Sequence, residues 1–184
     1  MDMVKSVLVT GGAGYIGSVL THKLVELDYN VRIIDSLIYG KDGISDLISN
    51  NSIELIEEDI RNEKSLNKAV EDIDCIIHLA AIVGDPLCKK IPVAAKQINE
   101  DATKKLVNIS KDYNVKRFIF ASTCSNYGSA SSIVDESSPI QSLSLYSETK
   151  VNSENFILNA KDSRFEPCIC LLYTSPSPRD ERGS

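Results

Sequence analysis

A doubly wound α/β fold, a parallel sheet covered by helices on both faces, is the architecture this sequence predicts, on three observations. Short apolar runs alternate with stretches of helical period, a glycine cluster separates the first run from the first helix, and an acid closes the second run. Val4 to Thr10 (VKSVLVT) reads as a buried strand. Tyr15 to Asp28 carries apolar residues at 16, 19, 20, 24 and 27, which is helical spacing. Val31 to Asp35 (VRIID) is the second strand, Ile53 to Glu57 (IELIE) the third, and Asp74 to Ala81 (DCIIHLAA) the fourth, with a helix over Glu63 to Val70 between the last two. Val93 to Tyr113 reads as one long amphipathic helix and Lys116 to Ser122 (KRFIFAS) as the fifth strand. The Ser-rich stretch from Ser129 to Ser144, with Pro139, predicts a loop over the site. Leu145 to Ala160 predicts a helix, and Glu166 to Cys170 begins a sixth strand. Strands alternating with helices imply parallel pairing with crossovers. There is no internal repeat and no interdomain linker.

The 184 residues suffice for one domain, and 42% hydrophobic with 25% charged residues is ordinary for a soluble globular chain. Twenty Lys and Arg against twenty-six Asp and Glu give a net charge of −6. An acidic surface does not attract phosphate backbones or anionic lipid, so neither nucleic acid nor membrane is expected as a partner. No segment approaches the roughly 20 apolar residues that span a bilayer, and the first residues run into a strand without a signal-peptide core. The five cysteines (75, 88, 124, 168 and 170) show no metal or redox spacing. Reduced, mostly buried thiols in a cytoplasmic protein are expected.

The glycine cluster, Thr10-Gly11-Gly12-Ala13-Gly14-Tyr15-Ile16-Gly17, satisfies both G-x-G-x-x-G and G-x-x-G-x-x-G. Glycines there allow a tight turn and close backbone approach, and the following helix offers free N–H groups to a pyrophosphate. Asp35 stands eighteen residues beyond Gly17, where a carboxylate can accept both hydroxyls of an adenosine ribose and repel a 2′-phosphate. NAD is therefore expected rather than NADP; the bland alternative for Asp35 is a solvated strand-end acid. Asp59, after the third strand, could cap the adenine amino group or simply cap a helix.

Tyr146 and Lys150 stand four apart in Tyr146-Ser147-Glu148-Thr149-Lys150, on one helix face. A tyrosine of ordinary pKa, about 10, is a poor base, and a neighbouring ammonium together with the positive nicotinamide ring brings that value down toward working range. By itself such a pair is more often a surface contact. Thr123 ends the fifth strand at the edge where open α/β sheets bind their ligands. Its hydroxyl can orient a substrate alcohol, or it can be an ordinary β-branched strand residue.

Together these stretches resemble the extended short-chain dehydrogenase/reductase family, the NAD-dependent nucleotide-sugar epimerases and dehydratases. The resemblance runs from Ser6 to about Ile169 through TGGAGYIGS (10–18), EDIRN (58–62), HLAAIVGDP (78–86), INEDATKKLV (98–107), KRFIFASTCSNYG (116–128) and YSETK (146–150). It implies a Rossmann-type fold over residues 1–169, lacking its last strand or strands and the substrate-binding part. It also implies a catalytic trio at Thr123, Tyr146 and Lys150. Cofactor contacts would fall at Gly11, Gly14, Tyr15, Ile16, Gly17, Asp35, Asp59, Ile60, Leu79, Ala80, Ala81 and Asn99, with Tyr146 and Lys150. The implied substrate is a nucleotide sugar, oxidised and re-reduced with Tyr146 as the proton acceptor. Homodimerisation through helices 93–113 and 145–160 is implied as well.

Two departures narrow the chemistry. The sugar dehydratases of the family carry an Asp-Glu pair where Cys124-Ser125 stand, which argues against dehydration. Members that epimerise through a cysteine have it at the position of Ser125, so Cys124 is expected to be structural. Beyond Ile169 the family pattern stops: Cys170-Leu171-Leu172-Tyr173-Thr174-Ser175-Pro176-Ser177-Pro178-Arg179-Asp180 resembles a translated transposase-type library adapter. Residues 170–184 are expected to be a non-native tail on a truncated chain without turnover; the alternative is a genuine polar tail. A reductase or decarboxylase of the same fold, or a non-catalytic NAD-binding regulator, are the other functions the sequence allows.

Overall fold

The structure is a computed structural model that describes residues 4–128 and 135–172. Six strands form one parallel sheet: β1 (Ser6–Thr10), β2 (Asn30–Asp35), β3 (Ile53–Glu57), β4 (Cys75–His78), β5 (Arg117–Thr123) and β6 (Glu166–Leu172), in the order β3-β2-β1-β4-β5-β6. The inner strands are nearly continuous apolar runs because both their faces are covered. Val7, Val9, Val31, Ile33 and Cys75 pack on one side, and Leu8, Ile34, Ile76, Phe118 and Phe120 on the other. The order reverses between β1 and β4, and the carboxyl ends of those two strands open the crevice in which such sheets carry ligands.

Helix α1 (Tyr15–Glu26) leaves β1, and α2 (Ser45–Ser49) precedes β3. Helix α3 (Glu63–Val70) begins at an Asn62 cap whose side chain accepts from the Lys64 and Ser65 amides. After β4 come two short helices that the sequence did not announce separately, α4 (Asp85–Lys90) and α5 (Pro92–Lys96). The single helix expected over 93–113 is α5, then a π-helical stretch over Gln97–Asp101, then α6 (Ala102–Asp112). Helix α7 (Leu145–Asn159) starts with a reciprocal box in which Ser144 and Ser147 each bond the other's backbone.

Along α1, Gly17 and Thr21 are buried and Leu24 and Val25 pack against the core, while Val19 and Leu27 are exposed. The glycine loop brings the start of α1 so close to β1 that only small side chains fit between them. The cysteines are not mostly buried: Cys75 and Cys88 are, Cys124 is half-buried, and Cys168 and Cys170 are exposed. The last two alternate outward along β6, the terminal strand of the described sheet, and all five are free thiols. Cys170, Leu171 and Leu172, the first residues of the expected tail, continue β6 in register with Ala121, Ser122 and Thr123. Residues 173–184 and 129–134, the remainder of that tail and part of the expected loop, lie outside the described residues. Among the described residues no helix is long and apolar enough to cross a membrane.

Candidate active site

The glycine loop is built for close approach. Gly11 has φ +72°, and a Cβ placed on it would sit 2.8 Å from the Ala80 amide nitrogen, so β4's end is packed directly on the loop. A Cβ on Gly17 would drive into the Gly11 carbonyl. Helix α1 starts at Gly14 with no side-chain cap and no acid in its first turn, leaving a bare positive dipole end beside the loop. Tyr15 and Ile16 lie exposed at that end. Asp35 is fixed at the lip: one carboxylate oxygen accepts from the Ala13 amide at 3.0 Å, the other from the Leu37 amide at 2.8 Å. Each oxygen retains a further lone pair for a hydroxyl. A backbone cradle that no Cβ could enter, an uncapped helix start and an oriented acid at the second strand's end are the donor and acceptor set a dinucleotide needs.

Asp59 does not cap α3, which uses Asn62; instead its carboxylate holds the Arg61 guanidinium, with contacts of 2.7 and 3.0 Å. Those hydrogen bonds keep its carboxyl below the usual carboxylate range against the pull of burial. Ile60 is sunk in the core among Leu8, Ile34 and Leu66. Asn99, in the π-helical stretch, is buried as well. Its side chain accepts from the Ile82 amide at 2.7 Å and donates to the Ile82 carbonyl at 2.9 Å, so it fixes the loop that follows Leu79, Ala80 and Ala81.

Beneath this crevice runs a hydrogen-bonded chain whose directions are determined. The Ala80 amide donates to Thr10 Oγ1 at 3.2 Å, and Thr103 Oγ1 donates to the Asn99 carbonyl at 2.8 Å. With the Thr103 proton spent, the 2.8 Å contact between His78 Nε2 and Thr103 Oγ1 requires a proton on Nε2. The 2.6 Å contact at Nδ1 is then donated by Thr10. Burial, followed by the charge of Lys150, pushes the imidazole down to about 3, so His78 is neutral. The Ser153 hydroxyl joins the same Asn99 carbonyl from α7 at 2.8 Å.

Tyr146, Lys150 and Thr123 do come together, and all three are buried. The Thr123 hydroxyl hydrogen-bonds the Tyr146 phenol. It also donates to Ser125 Oγ at 3.1 Å and accepts from the Ser125 amide at 3.2 Å. Lys150 Nζ donates to the Ala121 carbonyl at 2.9 Å and stands 4.4 Å from the centre of the Phe120 ring. Burial pulls the ammonium down to about 8, with Glu154 the main opposing charge. Burial raises the Tyr146 phenol above its usual value, and the Thr123 hydrogen bond is what opposes that rise.

Sequence reasoning missed the polar chain beneath the crevice and the acid beside the trio. His78, Thr10, Thr103 and Ser153 are short polar groups inside apolar runs, where pattern alone reads them as filler. Glu154 was detectable, since an acid four residues beyond Lys150 lies on the same buried helix face.

The profile described as NAD dependent epimerase/dehydratase family matches residues 7–184. The chain belongs to that family. A UDP-glucose 4-epimerase of Dictyostelium discoideum is 32% identical over 178 residues, covering 92% of this chain and 52% of the relative. Among solved structures, the UDP-Glc/GlcNAc 4-epimerase of Campylobacter jejuni superposes with TM-score 0.86 at 28% identity, over 91% of this chain and 53% of that one. The UDP-glucuronic acid 4-epimerase of Bacillus cereus, in complex with UDP-glucuronic acid and NAD, gives TM-score 0.82 at 33% identity, over 89% of this chain and 55% of that one. This epimerase/dehydratase chain thus spans about half the length of the relatives it matches.

Proposed function

We propose that this chain is the cofactor-binding and proton-transfer part of an NAD-dependent nucleotide-sugar epimerase. The observation that carries the reading is the contact of the Thr123 hydroxyl with the Tyr146 phenol, with Lys150 one turn along α7, on the same sheet edge as the Gly11–Gly17 loop.

In this reading the loop amides and the start of α1 hold the pyrophosphate, and Asp35 accepts from the adenosine ribose hydroxyls. Asp59 lies further along that edge, toward the adenine. Lys150 spends one N–H on Ala121 and keeps two for the second ribose. When bound, NAD supplies the acceptor for a hydrogen and its electron pair, together with a positive ring charge. Thr123 orients the sugar hydroxyl. Tyr146 Oη takes the hydroxyl proton as the carbon-bound hydrogen leaves, and returns it when the keto sugar is reduced on its other face. Burial raises the phenol, so its conversion to phenolate depends on nearby positive charge, which in this reading Lys150 and the cofactor's ring supply together. Cys124 and Ser125, following Thr123, carry no acid–base pair, which supports epimerisation over dehydration.

The test has two arms. Titration calorimetry of the 184-residue chain should give tighter binding of NAD than of NADP, by about tenfold or more, since Asp35 meets the 2′-phosphate as a like charge. No turnover is expected of residues 1–184 alone. In a longer protein that carries this chain, Tyr146→Phe should cut nucleotide-sugar epimerisation by about a hundredfold or more with NAD affinity retained. Equal binding of the two cofactors, or an active phenylalanine variant, would refute the reading.

A further inference from the structure

The Thr123 end of β5 is fastened to α7 by a second group, one turn beyond Lys150. A Glu154 carboxylate oxygen accepts from the Ser122 hydroxyl and, at 2.8 Å, from Asn126 Nδ2. Asn126 Nδ2 also donates to Ser122 Oγ at 3.2 Å. Tyr146, Lys150 and Glu154 recur at four-residue steps and so share one helix face. With Lys150 holding the Ala121 carbonyl, two successive turns of α7 grip the two residues before Thr123. The same carboxylate reaches Asn126, in the 3-10 turn after β5, so the turn is pinned on both sides of Thr123.

The charges fit this arrangement. Burial pushes the Glu154 carboxyl up, while Ser122, Lys150 and Asn126 all favour its ionised form. Around Lys150, burial works against the ammonium and Glu154 is the foremost group that favours it. After Glu154, the Cys88 thiol is the other group that favours the ammonium. His78 from β4 is neutral; the Cys88 thiol from α4 is raised, chiefly by burial; and Tyr127, which faces Glu154, is raised by burial and then by the Glu154 charge.

We propose that Glu154 is a positioning residue of this site: its carboxylate clamps the Thr123-bearing end of β5 to α7 and is the counter-charge that keeps Lys150 an ammonium. The proposal rests on the reading of Thr123, Tyr146 and Lys150 given above. Removing or bringing a hydrogen at carbon is sensitive to misplacements of about 1 Å. A strand end held by a buried carboxylate is stiffer than one held by van der Waals contact alone.

Two variants separate the roles. Glu154→Gln keeps a carbonyl oxygen for Ser122 and Asn126 but loses the charge; Glu154→Ala loses both. In the full 184-residue chain, Lys150 is titrated through its 13Cε and 1Hε resonances, and amide hydrogen exchange is followed at Ser122 and Thr123. The Lys150 midpoint should fall by about one pH unit in both variants. Exchange at the strand end should quicken about tenfold in the alanine variant and stay unchanged in the glutamine variant. An unmoved Lys150 midpoint in Glu154→Gln overturns the counter-charge. Unaltered exchange in Glu154→Ala overturns the clamp. If the alanine variant does not fold, the glutamine variant decides, because a purely structural role for its two hydrogen bonds would leave the Lys150 midpoint where it was. Neither readout needs NAD or turnover. A chain that fails to bind NAD yet shows both responses refutes the functional reading and leaves the positioning role standing.

Discussion

Titrating the protein from pH 7.5 to pH 5 puts a proton on His78 in the unfolded chain that the folded chain refuses. The folded imidazole is lowered from 6.5 to about 3 by burial and by the charge of Lys150. A group whose folded value is depressed gives stability that is fully present above its unfolded value. That stability is lost as the pH falls from 6.5 toward 3. At 1.36 kcal/mol per pH unit for one proton, the 1.5 units between 6.5 and 5 amount to about 2 kcal/mol. The hydrogen bonds give the same sign: a second ring proton on Nδ1 would face Thr10, whose hydroxyl already donates there and accepts from Ala80. The variant for comparison is His78→Gln, which can still donate to Thr103 and does not titrate. It will be less stable at every pH, so the pH slope is what matters. Urea unfolding followed by far-UV circular dichroism at pH 7.5, 6 and 5 gives both slopes. The stability advantage of wild type over the variant should shrink by about 2 kcal/mol across that range. Other titrating groups, such as His22, which is raised chiefly by its hydrogen bond to the Ser18 carbonyl, and Asp162, lowered to about 2, are present in both proteins and cancel. Equal slopes would mean that the folded protein accommodates a charged His78, and the determined hydrogen-bond chain would be wrong.

The remaining predictions concern the loop and the start of α7. Gly11→Ala forces a Cβ against the Ala80 amide at a positive φ, so it should cost about 1–3 kcal/mol of stability and weaken NAD binding at least tenfold, measured by thermal unfolding and calorimetry. Ser144→Ala removes one side of the box at the start of the helix that carries Tyr146 and Lys150. It should lower stability by about 1 kcal/mol, read from urea midpoints, and leave NAD affinity within about twofold.

The sheet, the glycine loop and the trio were legible because each has a local signature. Val7 to Val9 and Ile33 to Ile34 are apolar runs that only a strand covered on both faces can bury, and the glycines answer a turn with no room for a Cβ. Tyr146 and Lys150 declare themselves by helical spacing, but their burial does not. Spacing alone therefore does not reveal that burial raises the phenol and that Thr123 opposes the rise. The break in the helix after Lys96 was not legible, because Gln97 to Asp101 has ordinary helical propensity. It is tertiary contact that widens the turn there: the Asn99 side chain reaches Ile82 and its carbonyl takes hydroxyls from Thr103 and Ser153. The fully buried positions of α1, Gly17 and Thr21, carry no apolar signal for a related reason, since close packing of backbone on backbone selects small residues there.

These observations place α7 at the junction of two polar systems with opposite electrostatic design. One runs from Ala80 through Thr10, His78 and Thr103 to Asn99, joined there by Ser153; it is neutral throughout and ties the cofactor crevice to the helix by directed hydrogen bonds. The other runs from Lys150 to Glu154, Ser122 and Asn126, and is built on two opposite charges sunk beside the Thr123 end of β5. The two must remain distinct. A charge on His78 would repel Lys150, whose own charge already helps to keep the imidazole neutral. Burying His78 until it cannot protonate therefore serves Lys150 as much as it serves the fold. The low value of the histidine and the retained charge of the lysine are two consequences of one packing arrangement between β4, β5 and α7.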